Sequence, residues 1–220
     1  LGKRLHWNGL EVIHRIRPKI RHCYIQIEGD GSIVLKSPRI SDKEALRIVE
    51  GRAGWIVRKL QELKGRERLD HALGEEVSYF GRLHRIEGNP NFEELHHAIG
   101  RLRSNTKEAF RRCYDTFYKK RAQEHVAQRL AHFERLCGRR AASLRIRKMK
   151  RRWGSCTGRG VITINAAVMR LPEAVIDYII VHELSHLRHM NHSRAFYAEV
   201  ERILPDYRTL DRELRRYQLG

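Results

Sequence analysis

The residues best placed to do chemistry are His182-Glu183-Leu184-Ser185-His186, with His192 just beyond. Residues four apart lie on one face of an α-helix, so His182 and His186 can aim their imidazoles at one metal ion. Glu183 is turned by one residue and can reach a water bound to that ion. This is the H-E-x-x-H pattern, in which two imidazoles hold zinc and the intervening Glu is the general base. His192 stands ten residues after His182, the first-to-third-ligand spacing of H-E-x-x-H-x-x-G-x-x-H. The Gly of that longer pattern is His189 here, so the turn need not be built the same way. Three neutral imidazoles leave zinc one open position for water. Glu183 would take a proton from that water, which would attack a polarised carbonyl, and Glu183 could then pass the proton to the leaving amine.

The chain holds 13 His and 19 Glu in 220 residues, and their frequencies give only about 0.07 chance matches to H-E-x-x-H. The competing reading is a polar helix face with solvated histidines. The flanks oppose it. Val175, Ile176, Ile179, Ile180, Val181, Leu184 and Leu187 make the segment apolar nearly all round, which implies a buried helix. Two His and one Glu inside such a helix need partners, and a metal would supply them. Pro172 suits the first turn and Glu173 the positive end of the helix dipole. Asn191 falls in the turn that follows. Ser193 can cap a next helix, Arg194 to Leu204, bringing His192 back toward the metal.

The elements that must position this site read as follows. Leu5–Trp7, Asn8-Gly9 and Leu10–Ile16 suggest a hairpin with an Asn-Gly turn. Cys23–Ile27, Gly29-Asp30-Gly31 and Ile33–Leu35 suggest a second hairpin. Ser41 caps a helix predicted to run to Leu63, weakened at Gly51 and Gly54. Val77–Ile86 looks like another hairpin, and Gly88–Asn105 reads as strand or loop. Thr106 opens a long helix to about Leu136, whose stripe Phe110, Tyr114, Phe117, Tyr118, Val126, Leu130 and Phe133 reads as core packing. Leu144–Met149 and Val161–Asn165 look like paired strands, joined by the Gly-rich stretch Arg151–Gly160. The expected class is α+β. A β-hairpin-rich region with one helix, residues 1–105, would precede a zincin-like core, residues 106–220: a long helix, a short antiparallel sheet, the H-E-x-x-H helix and a C-terminal helix.

Three stretches together resemble a known family. They are Arg152-Trp153-Gly154-Ser155-Cys156, the approach from Leu171-Pro172 to Asp177-Tyr178, and His182 through Met190-Asn191-His192-Ser193 to Phe196. The chain resembles the YgjP-like or DUF45 group of metal-dependent hydrolases, related to the SprT-like and WLM zinc peptidases. The resemblance covers almost the whole chain and is most specific at the C-terminal end. It implies a zincin-type fold with zinc on His182, His186 and His192, and Glu183 as catalytic acid/base. It implies no particular substrate.

Composition bounds the rest. No apolar run reaches the length of a membrane span, and the N-terminus lacks a signal-peptide layout. Cys23, Cys113, Cys137 and Cys156 form no C-x-x-C pair, which argues against a disulfide framework or a thiolate zinc site and for a reducing cytoplasm. Net charge is +19 and 34 of the 45 basic residues are Arg. Basic residues are scattered along the chain without a nucleic-acid motif, so the charge fits either a solvated surface or affinity for a polyanion.

Three functions follow as expectations. The first is a zinc metallopeptidase acting on peptide or protein, with an extended substrate pairing to the edge of the sheet that carries Val161–Asn165. The second is a metal-dependent nucleotide or phosphate hydrolase. The third is a nucleic-acid-associated protein with a basic surface. Oligomeric state is not readable from the sequence. Tyr178, Tyr197, Tyr207, His189 and Arg152 are candidates for stabilising an oxyanion. Asp177 can orient a ligand imidazole or form a packing salt bridge. Glu199 and Glu201 are fallback ligands should His192 point away. Trp153-Gly154-Ser155-Cys156 reads as a structural turn bordering the cleft, and His96, His97 and His125 as solvated.

Overall fold

The computed structural model describes residues 2–28, 31–64, 73–217 and 219. The chain forms two compact units, Leu1–Glu67 with Gly220, and Arg68–Leu219. The expectation from sequence divides the chain at residue 105 instead. The hairpin and short helix between 73 and 105 pack their apolar side chains into the same core as the long helix, so they belong to the second unit.

In the first unit, β1 (Lys3–Trp7) and β2 (Leu10–Ile16) pair antiparallel. Asn8 and Gly9 turn between them at φ 47 and 76, the left-handed pair that a two-residue hairpin loop requires. β3 (Tyr24–Ile27) and β4 (Ile33–Ser37) pair antiparallel as expected, although Gly29 and Asp30 of the expected turn lie outside the described residues. β2 also runs parallel to β4, so the two hairpins fuse into one sheet of order β1-β2-β4-β3. The helix expected from Ser41 to Leu63 is two helices, α1 (Asp42–Glu50) and α2 (Ala53–Lys64). Gly51 ends α1 by donating its N–H back to Arg47. Ala45, Val49 and Ile56 cover Val12, Ile33 and Leu35 of the sheet.

The second unit is built on α4 (Lys107–Cys137), capped by Thr106 at its start and by left-handed Gly138 at its end. Its buried stripe includes Tyr114, Phe117, Tyr118, Val126, Leu130 and Phe133, as the spacing predicts. β5 (Glu76–Tyr79) and β6 (Arg82–Arg85) form the third hairpin, turning at Phe80-Gly81. The segment read as strand or loop is a short 3-10 turn, Pro90–Phe92, and a helix, α3 (Glu93–Gly100). Only Leu95 of α3 is buried, too little apolar pattern to betray a helix.

Three strands follow: β7 (Ser143–Arg147), β8 (Gly154–Cys156) and β9 (Val161–Asn165). The order is β7-β9-β8, with β7 parallel and β8 antiparallel to β9. The sheet is thus mixed rather than antiparallel, because the 148–153 connection crosses over instead of reversing the chain directly. Gly154–Cys156, read as a turn, is an edge strand. α5 (Glu173–Ser185), α6 (Arg194–Ile203) and α7 (Tyr207–Leu214) complete the unit. Arg129 donates to both carboxylate oxygens of Asp177 at 2.7 and 2.6 Å and ties α4 to α5. Asp177 is therefore a packing salt bridge.

Asn165, fully buried, holds the crossover in place. Its Nδ2 donates to the carbonyls of Met149 and Arg152 at 2.7 and 2.9 Å, and its Oδ1 accepts from the N–H groups of Met149 and Ala167. Asn165→Ala leaves these backbone groups without their partner and is expected to cost about 2–3 kcal/mol. Urea unfolding would show a lower midpoint at unchanged slope.

Candidate metal centre

α5 carries His182 and Glu183 and ends at Ser185, with His186 as its C-cap residue. Helical spacing puts both imidazoles on one side. The chain then turns through His189, whose N–H donates to the Ser185 carbonyl at 3.0 Å. Ser193 caps α6 through a bond from the Phe196 N–H, and this return places His192 against the other two histidines. One ring nitrogen from each of His182, His186 and His192 lies within 4.8 Å of the others. The Nε2 atoms of His182 and His192 are 3.0 Å apart. Phe196, fully buried, is a common floor, with ring centroids 4.9, 4.6 and 4.9 Å from His182, His186 and His192.

The donor set fits a zinc ion. Tetrahedral zinc with nitrogens at about 2.0–2.1 Å separates its ligand atoms by about 3.3 Å, within the spacing seen here. His186 Nδ1 lies 3.1 Å from the His189 carbonyl, an acceptor that fixes the proton on Nδ1 and leaves Nε2 free as a ligand. Burial, reinforced by the neighbouring His186 and His192, pushes the His182 pKa down to about 4. The ring is therefore held neutral, the form that binds a metal. Burial lowers the His186 pKa as well.

Glu183, next to His182 on α5, is buried and lines the same cleft. Burial pushes its pKa up to about 8, against the opposing charge of Arg152. A cation in the cage would favour the ionised carboxylate. The room for this side chain comes from Gly154 on β8. A Cβ on that residue would fall 2.5 Å from Glu183 Oε1 and 2.7 Å from Cγ. Gly154→Ala must therefore displace the Glu183 carboxyl.

The cleft beside His182 and Glu183 has a volume of about 170 Å³ and is lined by Trp153, Gly154, Tyr178, Ile179, Asp211 and Leu214. It joins the edge strand to α5 and α7. Such a space admits a side chain rather than a whole small-molecule ligand.

The model of the YgjP-like metallopeptidase domain matches residues 21–217. The chain belongs to the YgjP-like metallopeptidase family. Among solved structures this YgjP-like chain is similar to the metallopeptidase zymogen abylysin of Pyrococcus abyssi, at 32% identity over 42% of this chain and 98% of that one, with a TM-score of 0.38. Among curated proteins none matches. The family establishes a metal-dependent peptidase domain in an α+β fold.

The YgjP-like site gathers some of the other candidates and not others. Tyr178 faces the cleft and donates to Asp211 Oδ1 at 3.0 Å, while Arg215 engages the other carboxylate oxygen. Burial and the Asp211 charge raise the Tyr178 pKa, so its hydroxyl keeps its proton. Tyr197 is stacked between His192 and Tyr207. His189 acts through its carbonyl. Arg152 is exposed and electrostatically coupled to Glu183. Glu199 is buried and paired with Arg202 and Arg188, and Glu201 with Arg208, so neither joins the cage. Cys156 is half-buried, and burial followed by the Glu183 charge raises its pKa, which disfavours a thiolate. His96 and His97 are exposed as expected, but His125 is packed against Phe80, and burial lowers its pKa.

Gly154, Phe196 and Asp211 were missed as site residues. Phe196 stands four residues after His192, a helical spacing from which a shared face can be read. Asp211 has no local signal, because it arrives from α7 at the end of the chain. Among the described residues no helix is long and apolar enough to cross a membrane.

Proposed function

We propose that the chain is a zinc-dependent peptidase in which His182, His186 and His192 hold the metal and Glu183 is the general base and acid. The observation that carries this reading is the convergence of three imidazole nitrogens within 4.8 Å, with the buried Glu183 next to His182 on α5 and lining the same cleft. Zinc, when bound, supplies Lewis acidity to a water and to the scissile carbonyl. Glu183 takes the proton of the attacking water and returns it to the departing amine. Phe196 and the His189 carbonyl hold the imidazoles in register. An extended peptide adds to the free edge of β8, since β9 is occupied on both sides. One substrate side chain then enters the cleft between Trp153 and Tyr178. The four cysteines are all unpaired, which supports a reducing, cytoplasmic setting.

The all-nitrogen donor set does not favour the phosphate-hydrolase alternative, since Mg²⁺ and Mn²⁺ prefer oxygen ligands. The test is peptide cleavage by the purified chain before chelation, after chelation and after zinc is restored. Loss and recovery of cleavage support the reading, and cleavage indifferent to chelation removes it.

A further inference from the structure

The basic residues are spread along the chain, but the acidic ones are not. Between residues 135 and 172 there is no Asp or Glu, while eleven residues are Arg or Lys. This 38-residue stretch carries +11 of the net +19, leaving +8 for the other 182 residues. It comprises the whole of the three-stranded sheet whose edge borders the candidate active site. Arg145 and Arg147 are exposed on β7, on one face of the strand. Arg145 stands opposite Thr163 of β9, which stands opposite Ser155 of β8, so one cross-strand row runs from the arginines to the cleft edge. Exposed Arg152 precedes β8, and exposed Arg159 lies in the turn that follows it. The ion pairs among the described residues use none of Arg145, Arg147, Lys150, Arg152 and Arg159.

We propose that this sheet selects acidic peptides, with Arg152 and Arg159 at the two ends of β8 holding Asp or Glu side chains of the bound strand. Arg145 and Arg147 add to the attracting field from across the sheet. The inference rests on the proposed peptidase reading and names its substrate class. Strands are about 4.8 Å apart, so β7 stands two strand spacings behind β8, and its arginines act over a distance comparable to the screening length of about 8–10 Å. Arg152 and Arg159 are exposed and flank β8 in sequence, and a guanidinium takes a carboxylate in a bidentate fork. A surface of one sign beside a cleft also concentrates oppositely charged substrate. The open strand edge suits an extended polypeptide. Trp153 is the one aromatic residue between 135 and 172, half-buried in the cleft wall, so the strand rows carry no series of rings on which successive bases could stack.

The test uses the full chain loaded with zinc. Fluorescence anisotropy would compare labelled peptides of one central sequence flanked by Asp/Glu, by Ser/Gln or by Lys. The acidic peptide is expected to bind at least about tenfold more tightly than the neutral one at low salt, the gap closing as salt rises. The triple variant Arg145→Ser/Arg147→Ser/Arg159→Ser, changed only at exposed positions and sparing Arg152, is expected to weaken this preference and bind the neutral peptide as before. Equal affinities, or a preference the triple variant keeps undiminished, would overturn the proposal. So would single-stranded nucleic acid of equal charge displacing the acidic peptide at lower concentration. Cleavage of the same peptides separates the two readings. Acidic binding without any cleavage defeats the peptidase reading and leaves the selectivity standing, whereas cleavage without charge preference does the reverse.

Discussion

Glu183→Gln is expected to lower kcat for peptide hydrolysis by about 10²–10⁴-fold, the range for removing a positioned acid–base group. The amide matches the carboxyl in shape, so it still fits against Gly154, and the three imidazoles are untouched. Zinc content and folding should therefore match the parent chain. The affinity for an uncleaved peptide should change little, because the role proposed for Glu183 is on the water and the leaving group rather than on the bound strand. Single-turnover rates together with metal analysis would check this. Full activity in the variant would remove Glu183 from the reaction. Loss of metal along with activity would mean that Glu183 supports the cage rather than the chemistry.

The second large effect is expected from His192→Ala. His192 is the exposed member of the trio and comes from the turn before α6, so removing it leaves α5 and its packing intact. In the proposed site His182 and His186 would then be the two remaining ligands. Stoichiometric zinc should be lost on dialysis, and activity with it, while the far-ultraviolet spectrum is unchanged. Thermal unfolding gives an independent readout. A ligand present at a thousandfold its Kd stabilises a fold by about 4 kcal/mol. Added zinc should raise the Tm of the parent chain and leave the variant where it was. A variant that keeps one tightly bound zinc would point to a ligand other than His192.

The parts of the molecule legible in sequence are those written in local spacing. His182 and His186 are one helical turn apart. The stripe on α4 recurs at helical period, and Asn8-Gly9 specifies its own turn. His192 is legible from its ten-residue spacing after His182, and Ser193 marks the start of α6 that turns it back. What escaped depends on pairs far apart in the chain. The parallel pairing of β2 with β4 has no local signature, and neither does the meeting of Tyr178 with Asp211. β8 is three residues long and rich in small side chains, so it reads as a connection. Only the packed structure shows that Gly154 is small because the Glu183 carboxyl occupies the place of its side chain. The same holds for charge. The basic count was plain, but its bearing on the cleft follows from the fold, which gathers an acid-free stretch into the one sheet beside the site.

The most direct measurement is X-ray absorption at the zinc edge of the purified, zinc-loaded chain, with the metal quantified in the same sample. One zinc per chain is expected, with three nitrogen ligands of imidazole character at about 2.0–2.1 Å and one oxygen ligand. A chain that retains no stoichiometric zinc, or a first shell dominated by sulfur or carboxylate oxygen, would contradict the account.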